Sequence, residues 1–163
     1  METAKMSIST DALAADGNFD PRYTCDIDNS SPELRWESPP EGTSTFVLIA
    51  EDVDAPAGVF THWLVYNIPS DVHHLPAGIP PQESLPNGIK QGIKRFGKLG
   101  YAGPCPPLQD RPHRYYYRLL ALSQTPSIPQ RVKRDELLAT IEPFVISTAH
   151  IMGRYQRVAQ KAG

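Results

Sequence analysis

Thr45-Phe46-Val47-Leu48-Ile49-Ala50-Glu51-Asp52-Val53-Asp54-Ala55-Pro56 is the stretch on which the fold turns. Phe46 to Ala50 is apolar without alternation, the pattern of a strand buried on both faces. The run then surfaces into Asp52 and Asp54, which fall on the same side of an extended chain before Ala55-Pro56 stiffens the exit. A second apolar run, Trp63-Leu64-Val65-Tyr66-Asn67-Ile68, starts directly after His62 and is closed by Pro69-Ser70-Asp71. A turn through Pro56-Ala57-Gly58 would lay the second run beside the first and return His62 towards Asp52. An X-Pro bond in so tight a turn is a candidate cis peptide.

Working outward, Met6-Ser7-Ile8-Ser9-Thr10 alternates like a first strand, and Leu34-Arg35-Trp36 gives a short one ended by Pro39-Pro40. Tyr115 to Leu122 predicts a long strand with two bulky faces. Residues 70–112 form the longest irregular stretch, and loops of that length in a compact domain are usually functional. The chain carries 17 prolines spread among its apolar runs, which favours a β protein with long shaped loops over a helical one. Leu137, Leu138 and Ile141 predict a short helix stopped near Pro143. Val145, Ala149, Met152, Tyr155 and Ala159 fall at steps of three and four and predict a final helix, with Gly153 packed closely against the sheet. No repeat or linker divides the chain, so residues 1–163 are expected to form a single domain.

With 40% hydrophobic and 21% charged residues and a net charge of −2, the chain is a soluble globular type with no overall basic field for nucleic acid. No apolar run reaches the roughly 18 residues of a spanning helix, so no integral membrane association is expected. Met1-Glu2-Thr3-Ala4-Lys5-Met6 lacks the apolar core of a secretory signal, and Met6 is an alternative native start. A cytoplasmic location follows, and with it the expectation that Cys25 and Cys105 are free thiols.

Two groups of residues carry chemistry. Acids that end a strand ordinarily just begin a turn, but Asp52 near His62 would favour the charged imidazole and so make a cationic donor for an anion. His113 and Tyr115 share one face of their strand while Arg114, Tyr116 and Arg118 take the other, and an imidazole beside a phenol offers two donors to phosphate-type oxygens. The glycine-proline loop Gly97–Pro107 lacks the Gly-Lys-Ser/Thr of a phosphate loop and reads instead as a rigid rim approached by Lys90, Lys94, Arg95 and Lys98. Cys105 lies between prolines rather than at a helix N-terminus, which argues against a thiol nucleophile. His73-His74 diverge, His150 stands alone, and no ligand spacing demands a metal at Asp52, Asp54, His62 and His113. No catalytic residue, metal or cofactor is assigned.

Asp52-Val53-Asp54-Ala55-Pro56 resembles the Asp-Pro-Asp-Ala-Pro signature of the phosphatidylethanolamine-binding protein family. Gly100-Tyr101-Ala102-Gly103-Pro104-Cys105-Pro106-Pro107, running on to His113-Arg114-Tyr115, is similar to its second signature, in the form of the prokaryotic Raf-kinase-inhibitor-like branch. The resemblance implies a large antiparallel sheet packed on a smaller one, a sandwich with a C-terminal helix. It also implies a small anion pocket formed by Asp52, Pro56, His62, Cys105, His113 and Tyr115, with Asp54, Trp63, Gly103 and Pro106 as structural support. Asp54 would bond to loop amides, while His62 and His113 would donate to the ligand and Asp52 would orient His62 or accept a proton from the ligand.

The implied function is non-catalytic capture of phosphate or a phosphorylated head group. The second reading is a kinase or serine-protease inhibitor acting through loops 70–95, and a small hydrolase is the third. The chain also offers two apolar elements, near each end, that would suit a homodimer. Three features depart from the pattern: Val53 replaces proline, Gln109 stands where glycine is usual and resists a positive φ, and the pair Lys94-Arg95 adds positive charge near the expected mouth.

Overall fold

The computed structural model describes residues 5–94 and 97–158. Expectations resting on the first four residues, on Arg95 and on Ala159 lie outside those ranges. Strand β3, Thr45–Asp52, is buried along its whole length, as its unbroken apolar run predicts. It pairs antiparallel with β4, Phe60–Pro69, on one side and with β7, His113–Leu122, on the other. A short strand β6, Lys90–Gln91, extends the sheet beyond β4, and β8, Val145–Tyr155, extends it beyond β7, giving the order β6-β4-β3-β7-β8. The smaller sheet is β1, Ser7–Ser9, β2, Leu34–Glu37, and β5, His74–Leu75, again antiparallel.

Each face of β3 has its own cover. Phe46, Leu48 and Ala50 pack with Trp36, Trp63 and Tyr117 in the core shared with the small sheet. Val47 and Ile49 pack with Val132, Leu137 and Ile141 beneath the helix α1, Arg134–Ile141. This is the sandwich with a C-terminal helix that the sequence implies. Among the described residues no helix is long and apolar enough to cross a membrane.

The segment after α1 differs from the expectation. Val145–Tyr155 is a strand, not a helix, and it pairs with nearly the whole of β7, from His113↔Tyr155 to Leu122↔Val145. The helical spacing of Val145, Ala149, Met152 and Tyr155 is overruled by this ladder, which leaves Ala149, Gly153 and Tyr155 buried on one face, at even steps along the strand. Gly153 is nonetheless packed tightly: a Cβ there would lie 2.4 Å from Leu13 and 2.5 Å from Phe19.

The thiols also differ. Cys25 and Cys105 form a disulfide across a separation of 80 residues. Their spacing in sequence carried no sign of the pairing, and the expectation of free thiols had rested on compartment alone. The bridge fastens the loop after the Pro21–Tyr23 turn to the loop that leads into β7.

Candidate functional site

The hollow at the end of the large sheet is made by a fault in the ladder. Ala50 pairs with Trp63, but Glu51 pairs with Thr61, leaving His62 as an extra residue in β4. A bulge turns two successive side chains to one side, so His62 and Trp63 share the face of Ala50 and Asp52. Strict alternation from Trp63 would have sent His62 to the opposite face, that of Glu51. On the other flank Asp52 pairs with Tyr115, which brings His113 and Tyr115 to the same end.

These residues enclose a cavity of about 270 Å³, lined by Asp52, Pro56, Phe60, His62, Gly103, Cys105, Pro106, His113 and Tyr115 among others. His62 and His113, 51 residues apart in sequence, thus open on one space. Trp63 stands behind the lining, fully buried, with its indole donating to Gln91 at 2.6 Å. The far wall, residues 101–107, is fixed to the Cys25 loop by more than the disulfide. Gly103 N donates to Asn29 Oδ1 at 2.7 Å, Cys25 N donates to the Pro104 carbonyl at 3.2 Å, and the Tyr101 hydroxyl donates to the Tyr23 carbonyl at 2.7 Å. Position 103 admits no side chain, since a Cβ would sit 2.1 Å from the Tyr23 carbonyl oxygen. The Pro56 peptide, a cis candidate on sequence grounds, is trans, as are all others described.

The two histidines are pushed in opposite directions. His62 Nδ1 lies 2.6 Å from the Ala102 carbonyl, which only accepts, so Nδ1 carries the proton. Burial pulls the pKa of this ring down to about 4, against the smaller opposing effects of that bond and of Asp52. His62 is therefore neutral at physiological pH, with Nε2 as an acceptor, not the cationic donor expected from the nearby acid. Asp52 does not orient it. Asp52 Oδ2 instead meets Nδ1 of His113 at 2.7 Å, while its Oδ1 accepts the Asp54 amide at 2.8 Å.

His113 is buried as well, and burial opposes its charge, but carboxylates at both ring nitrogens outweigh this and raise its pKa. The second carboxylate is Asp110, 2.7 Å from Nε2, a residue that sequence reasoning overlooked. The one clue was its place three residues before His113, which reads equally well as an ordinary turn acid.

The buried Tyr115 hydroxyl makes no well-aligned hydrogen bond, and its neighbour is the Asp52 carboxylate. Burial and the charge of Asp52 push its pKa up, keeping it protonated and able to donate. Its ring stacks on His113 at 6.4 Å and meets His62 edge-on at 5.4 Å.

Other expected residues take different places. Asp54 does not bond to amides of its own loop. It accepts from the backbone and guanidinium of Arg114, which together hold its pKa near 2. Gln109 does adopt the positive φ, at 66°, in a turn closed by Asp110 N donating to the Pro107 carbonyl. Lys94 does not face the hollow: its ammonium donates to the Tyr101 carbonyl at 2.9 Å and borders a separate cavity with Lys133 and Arg134. Among the described residues no three histidine, cysteine or acidic groups are set to hold a metal ion.

The sequence model of the phosphatidylethanolamine-binding proteins matches residues 9–156. The chain belongs to that family. A UPF0098 protein of Aquifex aeolicus is 45% identical over 83% of this chain and 79% of its own length. Another, from Methanothermobacter thermautotrophicus, is 39% identical over 93% of this chain and 99% of its own. Among solved structures, Escherichia coli YbcL, described as a new member of the mammalian PEBP family, superposes with a TM-score of 0.85. It is 31% identical, with 94% of this chain and 99% of that one covered. Within this family member, the two signature stretches are the two walls of the hollow just described, Asp52–Pro56 on one side and Gly103–Pro107 on the other.

Proposed function

We propose that the hollow binds a phosphoryl group, free or on a small head group, without transforming it. The observation that carries this reading is Tyr115, a lining residue whose buried hydroxyl lacks a well-aligned partner, beside His113, whose charged form two carboxylates favour. A buried donor left unsatisfied costs about 1–3 kcal/mol, and a ligand oxygen would recover it. The volume of about 270 Å³ suits a phosphate or phosphoethanolamine and excludes the acyl chains of a lipid.

The neutral His62 adds a requirement. Its Nε2 accepts a proton, so the complementary ligand carries an acidic O–H as well as anionic oxygen. A singly ionised phosphoryl group meets this, with P–OH directed at His62 and P–O⁻ at Tyr115 and His113. The second ionisation of a phosphate ester lies near pH 6. Binding should therefore weaken as pH rises from 6 to 8, because the ligand loses that proton. Support for non-catalytic binding comes from Cys105, the thiol at the rim, being tied up in the disulfide, and from Tyr115 being the one hydroxyl among the lining residues.

Calorimetric titration with inorganic phosphate and with phosphoethanolamine tests the reading. Saturable binding at pH 6 that weakens by pH 8 and is lost in His113→Ala is expected. Equal affinity for the two ligands would assign recognition to the phosphoryl group alone, and no binding of either would refute the proposal.

The inhibitor reading keeps one support. Loop 72–89 carries an apolar cavity of about 500 Å³ lined by Val72, Leu75, Ile79, Leu85 and Ile89, a surface that fits a protein contact better than a phosphate. Inhibition assays on purified serine proteases and kinases, with Leu85→Glu as the control, test it. A cytoplasmic location is retained as a proposal, although the bridge removes the free thiols on which it leaned. It requires a disulfide that resists reduction there, with a potential below about −300 mV, measurable by equilibration with glutathione or dithiothreitol.

A further inference from the structure

We infer that Asp110 is a built-in competitor for the anion site: its carboxylate occupies the imidazole nitrogen of His113 that an incoming phosphoryl oxygen needs, and so sets the affinity and selectivity of the pocket. The inference rests on the phosphoryl-binding reading above.

His113 has two ring nitrogens, and both are engaged. Nδ1 is held by Asp52, which is itself buried and anchored to the Asp54 amide, so this bond belongs to the frame. Nε2 is held by Asp110 at 2.7 Å, and Asp110 is partly exposed, with a side-chain accessibility of 37%. His113 borders the main hollow and also a second, polar cavity of about 400 Å³ lined by Asp54, Pro56, Asp110 and Arg111. Asp110 reaches the ring from that second cavity. A phosphate entering the hollow therefore finds Tyr115 ready to donate but His113 already spoken for.

The chain holds Asp110 in place at some cost. Gln109 lies in the left-handed region at φ 66°, strained for any residue but glycine and tolerated least poorly by asparagine or aspartate. Its amide donates to the Arg157 carbonyl at 2.9 Å, and Gln156 donates to the Asp110 carbonyl at 3.0 Å, so the turn is lashed to the chain just beyond β8. The Arg111 amide also donates to Asp110 Oδ1 at 3.1 Å, which leaves Oδ2 directed at His113. Both carboxylate oxygens are thus committed, and the acid is positioned rather than free to wander as a surface side chain would.

A competitor of this kind discriminates among anions. A ligand must offer more to His113 and Tyr115 together than Asp110 offers to His113 alone. A tetrahedral group with three oxygens can bridge both donors and His62, whereas a planar carboxylate such as acetate cannot. The site should then refuse simple carboxylates that an open cationic histidine would accept.

The test is calorimetry at pH 6 with inorganic phosphate and with acetate on the wild type, Asp110→Asn and Asp110→Ala. Asn keeps the shape of the side chain and removes its charge, while Ala clears the nitrogen outright. Both should bind phosphate about five- to tenfold more tightly than the wild type, a modest gain because the acid is partly solvent-screened. Acetate binding should appear only in the variants. In ¹⁵N spectra of the wild type, added phosphate should shift the His113 Nε2 resonance as Asp110 is displaced. Unchanged or weakened phosphate affinity in both variants, with the wild type still binding, would overturn the inference and leave the pocket reading standing. No phosphate binding by any of the three would overturn both.

Discussion

Glu51 and Asp52 are neighbours at the end of β3, both buried to about 4% exposure, and they face opposite ways. Glu51 gives one oxygen to Arg118 at 2.8 Å and the other to Arg134 at 2.7 Å, closing an ion cluster between β7 and α1. Asp52 looks into the hollow, where it meets a histidine, and the hydroxyl of its cross-strand partner Tyr115 lies beside it without a well-aligned bond. One carboxylate is surrounded by groups that ask for nothing further. The other belongs to a set with a spare donor, a spare acceptor and space between them. Buried acid alone therefore separates nothing; the unfilled hydrogen-bonding capacity around it does.

Four measurements would break or sharpen that contrast. The largest effect should come from the wall of the hollow. Replacing Cys25 and Cys105 by serine opens a loop with a separation of 80 residues, and about 4 kcal/mol of stability should be lost in chemical denaturation. Phosphate binding should weaken with it, because residues 101–107 form the far wall.

Next comes the acid side of the stability profile. The folded pKa of His62, about 4, lies below its unfolded value near 6.5. The unfolded chain then binds more protons between those values, so stability is full above pH 6.5 and falls as pH drops towards 4, by roughly 3 kcal/mol at most. In His62→Gln that slope should flatten. His113 runs the other way: its raised pKa contributes stability below its unfolded value that is lost as pH climbs through the folded one. A profile of His113→Gln should lack that alkaline decline.

Third, Glu51→Ala should cost about 2 kcal/mol, since it strands two arginines that are each partly exposed, and it should leave phosphate affinity untouched. Smallest in stability is Tyr115→Phe. Removing a hydroxyl that makes no well-aligned hydrogen bond should change stability by less than about 0.5 kcal/mol yet weaken phosphate binding about tenfold. Glu51 and Tyr115 variants with the same pattern of losses would erase the distinction between the two sides of β3.

Much of the frame was legible from sequence. The unbroken run Phe46–Ala50 announced a strand covered on both faces, and alternation in β7 correctly put His113 with Tyr115 and Arg114 with Arg118 on opposite sides. The signatures located both walls. What escaped was non-local. The bulge that turns His62 inward depends on how β4 registers against β3, which no count along the chain reveals. β8 looked helical because Val145, Ala149 and Met152 fit a helical step, while the ladder that decides it belongs to β7. Asp110 was passed over because an exposed acid in a turn has no distinguishing spacing. The charge expected on His62 was misplaced for a related reason: proximity to Asp52 was credited to His62, whereas the carboxylate reaches His113.

The opposed states of those two rings are the account's central claim, and ¹⁵N NMR of the imidazole nitrogens in the ligand-free protein at pH 7 tests it most directly. His113 should show both nitrogens protonated, and His62 should show a proton on Nδ1 with a bare Nε2. A neutral His113, or a doubly protonated His62, would contradict it.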